Sequence, residues 1–319
     1  MNILILGGAG FVGANLVRRC LKHPENRVTV VDSLEPLLKS TTENLKEVWG
    51  KIRFVKADIR NREAMERLVR GKDAIFNCAA QSSHTLSVLD PFFDVSVNCI
   101  GNLTLLEAVR RKNKRALIIY PSSSTVIGRA SHPVDENHAE APLDIYSADK
   151  SVAEKYYRIY NRVHDIKTVV IRFANLFGPY GKGYPEFGFI NYFIAQAAQG
   201  KVISIYGSGR QKRTVMYIED AVDLLYDCVH RKRLIGGLYF AVHKEKHSVI
   251  GIANHIVRVF RKGKIRTVPW PKLRQRVETD SMSIVSTKLS QLTGFKPKYT
   301  LRRGLEKTKT IIESAEQEI

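Results

Sequence analysis

Cysteine is scarce in this chain: Cys20, Cys78, Cys99 and Cys228 are four in 319 residues, with no CxxC pair. That usage argues against a disulfide framework or a cysteine-built metal site. It reads as buried, reduced thiols of a cytoplasmic protein. Runs of about 18 apolar residues are lacking, so no membrane span is expected. The chain enters a strand pattern and a glycine turn within its first residues, and no signal peptide is expected. Internal repeats and low-complexity tracts are also lacking, which excludes solenoids and fibrous arrays. Acidic residues are in deficit, 31 Asp and Glu against 51 Lys and Arg, for a net charge of +20. Such a field attracts anions. The basic runs at 110–115, 210–213, 231–233 and 258–266 lack the interleaved aromatics of a single-strand binder. The charge is therefore read as a solvated surface, and nucleic acid is not expected as a partner. His243 and His247 are four apart but sit in a turn-like stretch with no third ligand, so no metal is expected.

What the chain does contain is alternation. Apolar, strand-like runs fall at 2–6, 27–31, 52–55, 74–77, 116–120 and 168–171. Helix-spaced stretches lie between them, at 11–21, 62–69, 97–111 and 148–164. Strands that are apolar throughout, separated by helices, imply an α/β fold with a doubly wound parallel sheet covered on both faces. After about residue 173 the pattern breaks into a Gly-, Pro- and aromatic-rich loop at 178–188 and then shorter elements. The expected division is a larger domain over 1–173, completed by a strand near 238–242. A smaller, discontinuous α/β substrate domain over 174–319 follows it.

Gly7, Gly10 and Gly13 follow the first strand and open the first helix, with Phe11 and Val12 in its opening turn. A dinucleotide pyrophosphate needs a close backbone and a helix N-terminus, and glycines provide both. Asp32 ends the second strand, at the distance where a carboxylate accepts bonds from adenosine ribose hydroxyls and repels the extra phosphate of NADP. The expectation is a Rossmann domain holding NAD. Asp58 and Ile59 follow the third strand, where a side chain meets adenine. Ala79 and Ala80 follow the fourth, where small residues admit the nicotinamide ribose.

Tyr146 and Lys150 are four apart, hence on one face of a helix. A tyrosine is a poor base at neutrality, but a neighbouring ammonium and an oxidised nicotinamide both favour its phenolate. The Ser122–Thr125 cluster follows the fifth strand, whose carboxyl end faces the ligand crevice.

These residues resemble the extended short-chain dehydrogenase/reductase family, in its NAD-dependent sugar epimerase/dehydratase branch. The matching stretches are GGAGFVG at 7–13, the Asp32 position, NCAA at 77–80, Asn98 with Gly101, SSSTVIG at 122–128, YSADK at 146–150 and RFANLFGP at 172–179. YGSGRQKRTVMYIEDAV at 206–222 and LTGFKP at 292–297 extend the match over nearly the whole chain. The resemblance implies Tyr146 as catalytic base, Lys150 as its partner, Ser123 as the assisting hydroxyl, and Asn98 among the cofactor contacts. It implies Asn175 and Arg213 on the nucleotide's diphosphate, Tyr206 against the base, and Arg276, or its competitor Arg274, as a second clamp. In the branch's dehydratases the position of Thr125 resembles a glutamate, often beside another acid, where this chain has Ser124. The chain therefore resembles the UDP-glucose 4-epimerase type, which implies a UDP-sugar substrate. It also implies a homodimer formed through the helices near 97–111 and 148–164. Val126-Ile127-Gly128, Arg213-Thr214 and Gly101-Asn102 depart from the usual Val-Tyr-Gly, Arg-Asp and Gly-Thr. CDP-sugar 2-epimerase, UDP-uronate 4-epimerase, dehydratase or reductase, and a polyanion-binding homologue remain as alternatives.

Overall fold

A computed structural model describes residues 1–278 and 281–317. In the first half, strands β1 (Asn2–Leu6), β2 (Arg27–Asp32), β3 (Arg53–Lys56), β4 (Ala74–Asn77), β5 (Leu117–Ser123) and β6 (Lys167–Phe173) alternate with helices. Those helices are α1 (Phe11–Leu21), α2 (Arg62–Leu68), α3 (His84–Leu89), α4 (Pro91–Val95), α5 (Gly101–Lys112) and α6 (Ile145–His164). The second half adds β7 (Asn175–Phe177), α7 (Phe189–Ala198), β8 (Val202–Tyr206), β9 (Lys212–Tyr217) and α8 (Ile218–Asp227). It continues through β10 (Leu238–Ala241), β11 (Lys246–Ser248), α9 (Val249–Phe260), β12 (Lys264–Val268), α10 (Lys272–Val277), α11 (Lys288–Thr293) and α12 (Leu301–Gln317).

The main sheet runs β10-β6-β5-β4-β1-β2-β3, all parallel. Ile3 to Leu6 and Ala74 to Phe76 are at most 1% exposed, because helices cover both faces of these strands. The order reverses between β1 and β4, so the carboxyl ends of β1, β2, β4 and β5 open onto one crevice. The late strand expected near 238–242 is β10, which pairs in register with β6 (Leu238 opposite Val170).

The second half is less separate than a cut at residue 174 suggests. Its sheets are small: β11-β9-β7, and the parallel pair β12-β8. His247, expected in a turn, lies on β11 opposite Arg213. Helix α8 returns to the first half and packs on α1. Arg19 Nε lies 2.5 Å from Asp223 Oδ1, and its guanidinium stacks 4.3 Å over the Tyr226 ring.

Two helices near the crevice depart from their expected bounds. Helix α6 begins at Ile145, capped by Asp144, whose Oδ1 accepts from Ser147 N at 2.8 Å, so Tyr146 stands in the first turn. The helix expected from 97 begins at Pro91 and carries a wide π turn over Ser96–Ile100 before α5. By length and composition the Pro91–Lys112 helix could cross a membrane, but 56% of its apolar window is buried within the protein. That burial is what a core helix of a globular fold shows.

Candidate active site

A cleft of about 280 Å³ lies along the carboxyl ends of β1, β2 and β4. Gly7, Gly10, Phe11, Val12, Gly13, Asp32, Asp58, Ile59, Ala79 and Ala80 all line it, as expected from the sequence. Gly7 has φ +68°, and a Cβ there would stand 2.6 Å from Ala79 N and from the Cys78 carbonyl. A Cβ on Gly13 would stand 2.2 Å from Gly7 O. These two glycines let the turn close against β4 and α1. Gly10 caps α1 with no side-chain hydrogen bond, leaving the helix N-terminus bare toward the cleft. This cradle fits a dinucleotide pyrophosphate.

Asp32 is 8% exposed and accepts from Ala9 N and Leu34 N, each at 3.0 Å, one on each oxygen. Burial raises its carboxyl above the usual range, although both N–H groups and Lys182 pull it down. Each oxygen retains a lone pair for a ribose hydroxyl. Asp58 is held instead by Arg60, whose Nη2 lies 2.7 Å from Asp58 Oδ2. Burial works to raise this carboxyl, but Arg60 keeps it below the usual range. Asn98 is placed differently from the expectation of a cofactor contact. It is fully buried and does not line the cleft; it donates to Gln81 O at 2.9 Å and Asp94 Oδ1 at 2.8 Å.

A second cavity of about 180 Å³ shares His84 with this cleft; Tyr146 and Lys150 are not among the described lining residues of either, Tyr146 meeting His84 with ring centroids 4.8 Å apart. Ser123, at the end of β5, has its Oγ 2.8 Å from Thr125 Oγ1, and both line the second cavity with Ser124. The Ser123 hydroxyl also acts on the Tyr146 phenol, favouring its ionised form. Lys150 is buried, donates from Nζ to Pro121 O at 3.1 Å and stands 4.5 Å over the Tyr120 ring. One expectation needs correction here. Lys150 does not lower the Tyr146 phenol in this structure. Burial, then the Asp144 and Asp94 carboxylates, raise that phenol well above its ordinary value, with only Ser123 opposing. Burial also lowers Lys150 to about 8, so its own charge is costly where it sits.

The second cavity gathers residues expected on the substrate. Asn175 and Arg213 line it, together with Lys212, Thr214, Met282 and Ile284. Asn175 Nδ2 donates to Thr214 O at 3.0 Å, and Arg213 is paired with Glu278. Tyr206 does not line this cavity. It stands on β8 with its ring 5.4 Å from Trp270 and the Arg274 guanidinium 5.6 Å from its centre. Arg276 is exposed on α10, and among the described residues only its carbonyl is engaged, by Arg129. Of the two candidate clamps, Arg274 is the one brought to the aromatic pair.

Three features escaped the sequence reading. His84 lines both cavities, and its Nδ1 lies 2.5 Å from Asp144 Oδ2. Lys182, from the loop after β7, lines the cofactor cleft beside Asp32, and burial lowers it to about 8. Asp94 and Asp149 form a buried carboxyl pair, with no ion-pair partner among the described residues. Burial raises Asp94 to about 7, Asp149 adding to the rise. The single-letter signal for Asp149 lay inside the YSADK stretch, but nothing in its spacing showed what it faces.

The NAD dependent epimerase/dehydratase family pattern matches residues 3–236. The chain is 34% identical over 227 residues to the UDP-glucose 4-epimerase of Mycolicibacterium smegmatis, covering 70% of this chain and 71% of that one. It is 30% identical over 335 aligned positions to dTDP-glucose 4,6-dehydratase 1 of Escherichia coli, covering 97% and 91%. The crystal structure of Thermus thermophilus UDP-glucose 4-epimerase in complex with NAD superposes with a TM-score of 0.85 at 26% identity, covering 99% of this chain and all of that one. Glycine cradle, the acid ending β2 and the Tyr–Lys helix thus stand around one parallel α/β sheet together with a family match over residues 3–236: the chain belongs to the NAD-dependent epimerase/dehydratase family, and NAD is its cofactor.

Proposed function

We propose that this protein is a nucleotide-sugar 4-epimerase, interconverting UDP-glucose and UDP-galactose. Relatives named as epimerases and as dehydratases are similarly distant, so the reading rests on the site. The observation that carries it is the hydroxyl trio Ser123, Ser124 and Thr125 on the substrate cavity, where no carboxylate is among the described lining residues. NAD, when bound, supplies the hydride acceptor and returns the hydride. Tyr146 holds and releases the proton of the sugar hydroxyl, and Ser123 bonds the same oxygen. Arg213 and Asn175 grip the diphosphate, the bidentate fork of arginine suiting phosphate. Eliminating water from the sugar requires a base at one carbon and an acid at the next, and the hydroxyls of Ser124 and Thr125 are too weak for either. His84 is the one imidazole among the described lining residues, with no carboxylate beside it there to complete an acid–base pair, so the keto sugar is reduced again before it loses water.

The test is a panel of UDP-, GDP-, CDP- and dTDP-sugars, with products read by NMR and mass spectrometry. A 4-epimer mixture from UDP-glucose is expected. A 4-keto-6-deoxy product would overturn the reading, and turnover of only a CDP-sugar or a UDP-uronate would reassign the substrate. The reading includes a homodimer. Phe92 is 86% exposed, and Leu89, Ile100, Ile159 and Val163 add apolar side chains on the surfaces of α3 to α6. A Phe92→Glu variant should sediment as a monomer; a wild-type monomer would remove this part of the proposal.

A further inference from the structure

His84 is the one described side chain that lines both the cofactor cleft and the substrate cavity. On one side it neighbours Ala79, Ala80 and Ser82 of the cleft wall. On the other it neighbours Ser123, Ser124 and Thr125. It thus stands where the nicotinamide end of the crevice meets the hydroxyl cluster. Its ring meets Tyr146 edge to face, centroids 4.8 Å apart at 75°.

Asp144 settles the state of this imidazole. The carboxylate is 3% exposed, and the His84 bond and the Ser147 N–H together outweigh its burial and hold it below the usual carboxylate range. An ionised carboxylate 2.5 Å from Nδ1 places a proton on Nδ1, so Nε2 is the nitrogen left for a ligand. Nε2 has no protein partner among the described residues, and the side chain is 43% exposed. Capping α6 does not require His84, because the other Asp144 oxygen already takes the Ser147 N–H. A buried carboxylate that orients a half-exposed imidazole beside the catalytic tyrosine is built for a ligand rather than for the helix.

We propose that His84, oriented by Asp144, contacts the substrate directly, its Nε2 forming a hydrogen bond with a hydroxyl of the sugar held against Tyr146. It is a specificity-determining residue, reading the sugar rather than the nucleotide. This rests on the nucleotide-sugar reading above, and makes the sugar's orientation depend on one ring nitrogen.

The test is calorimetric titration of the NAD-loaded protein with UDP and with UDP-glucose, alongside turnover. His84→Phe keeps a ring against Tyr146 and removes both nitrogens. His84→Gln carries an amide to the place of Nε2. Asp144→Asn keeps a helix cap but loses the carboxylate that sets the tautomer. In His84→Phe, UDP should bind as in wild type while UDP-glucose binds about tenfold more weakly, the scale of one lost hydrogen bond. Partial recovery in His84→Gln and an intermediate loss in Asp144→Asn support the assignment. Unchanged UDP-glucose affinity and turnover in His84→Phe overturn it. Parallel losses for UDP and UDP-glucose also overturn it, since they mark a structural role. Wild-type protein that binds neither compound overturns the nucleotide-sugar reading, and this proposal with it.

Discussion

The cofactor cleft and the substrate cavity meet at His84 but are built in opposite ways. The cleft is made mostly of backbone. Gly7, Gly10 and Gly13 shape its turn, a bare helix N-terminus faces it, and one carboxylate, Asp32, is fixed by two N–H groups. The substrate cavity is made of side chains gathered from five separate segments, around residues 84, 123–125, 174–175, 212–214 and 282–284. A backbone cradle tolerates little change, since almost any Cβ collides with it. A side-chain cavity changes its chemistry with single substitutions, as Ser124 and Thr125 show.

The comparison can be broken first at the junction. Tyr146→Phe keeps the ring and removes the proton carrier. Turnover should fall by about 10²–10⁴-fold while NAD affinity, followed by fluorescence titration, stays near wild type. Turnover within a few fold of wild type would remove Tyr146 from the chemistry.

On the cleft side, Gly13→Ala places a Cβ against Gly7 O, which is backbone and has no rotamer to escape through. A loss of roughly 1–3 kcal/mol in stability is expected, together with weakened NAD binding. A variant with wild-type melting temperature and NAD affinity would show that the cradle is looser than its geometry.

Asp32→Asn tests what separates NAD from NADP. The preference for NAD should narrow by roughly tenfold, from the lost charge and the weaker ribose bonds. Titrating both cofactors into both proteins measures it; an unchanged ratio would assign the discrimination elsewhere, with Lys182 the first candidate.

The last effect concerns the buried Asp94–Asp149 pair. Asp94 is raised to about 7 in the folded protein, so the native state holds a proton that the unfolded chain has released by pH 5. The stability this contributes is complete below the ordinary carboxylate range and is lost as pH rises through 7. Denaturant unfolding should show a decline on the order of 1 kcal/mol per pH unit within that window. In Asp94→Asn the decline should flatten. A wild-type curve that rises between pH 5 and 7 would contradict the assignment.

Much of the fold was legible in local pattern. Apolar runs of strand length, helical spacing between them and a glycine turn after β1 required only neighbours in sequence. Each cofactor residue named from its position after a strand lines the cleft. Asn98, named only through the family resemblance, lies in the middle of the wide π segment and does not, and no spacing rule predicts on which side of such a segment a residue falls. The substrate side was legible only where a motif carried it. Asn175 and Arg213 reach the cavity, while Tyr206 and Arg276 stand outside its wall.

By itself, the sequence determined the parallel sheet, the glycine cradle, the acid at Asp32 and the face shared by Tyr146 and Lys150. All of these depend on residues within one strand, one turn or one helix, where local geometry converts spacing into position. Only the tertiary structure decided the rest. It returned α8 to the first half and set β10 beside β6. It brought Asp144 to His84 across 60 positions and buried Asp94 against Asp149 of α6. These contacts join segments whose separation along the chain carries no information about their distance. Burial and charge, which govern the proton affinities of Tyr146, Lys150 and Asp94, come into being only when those segments pack.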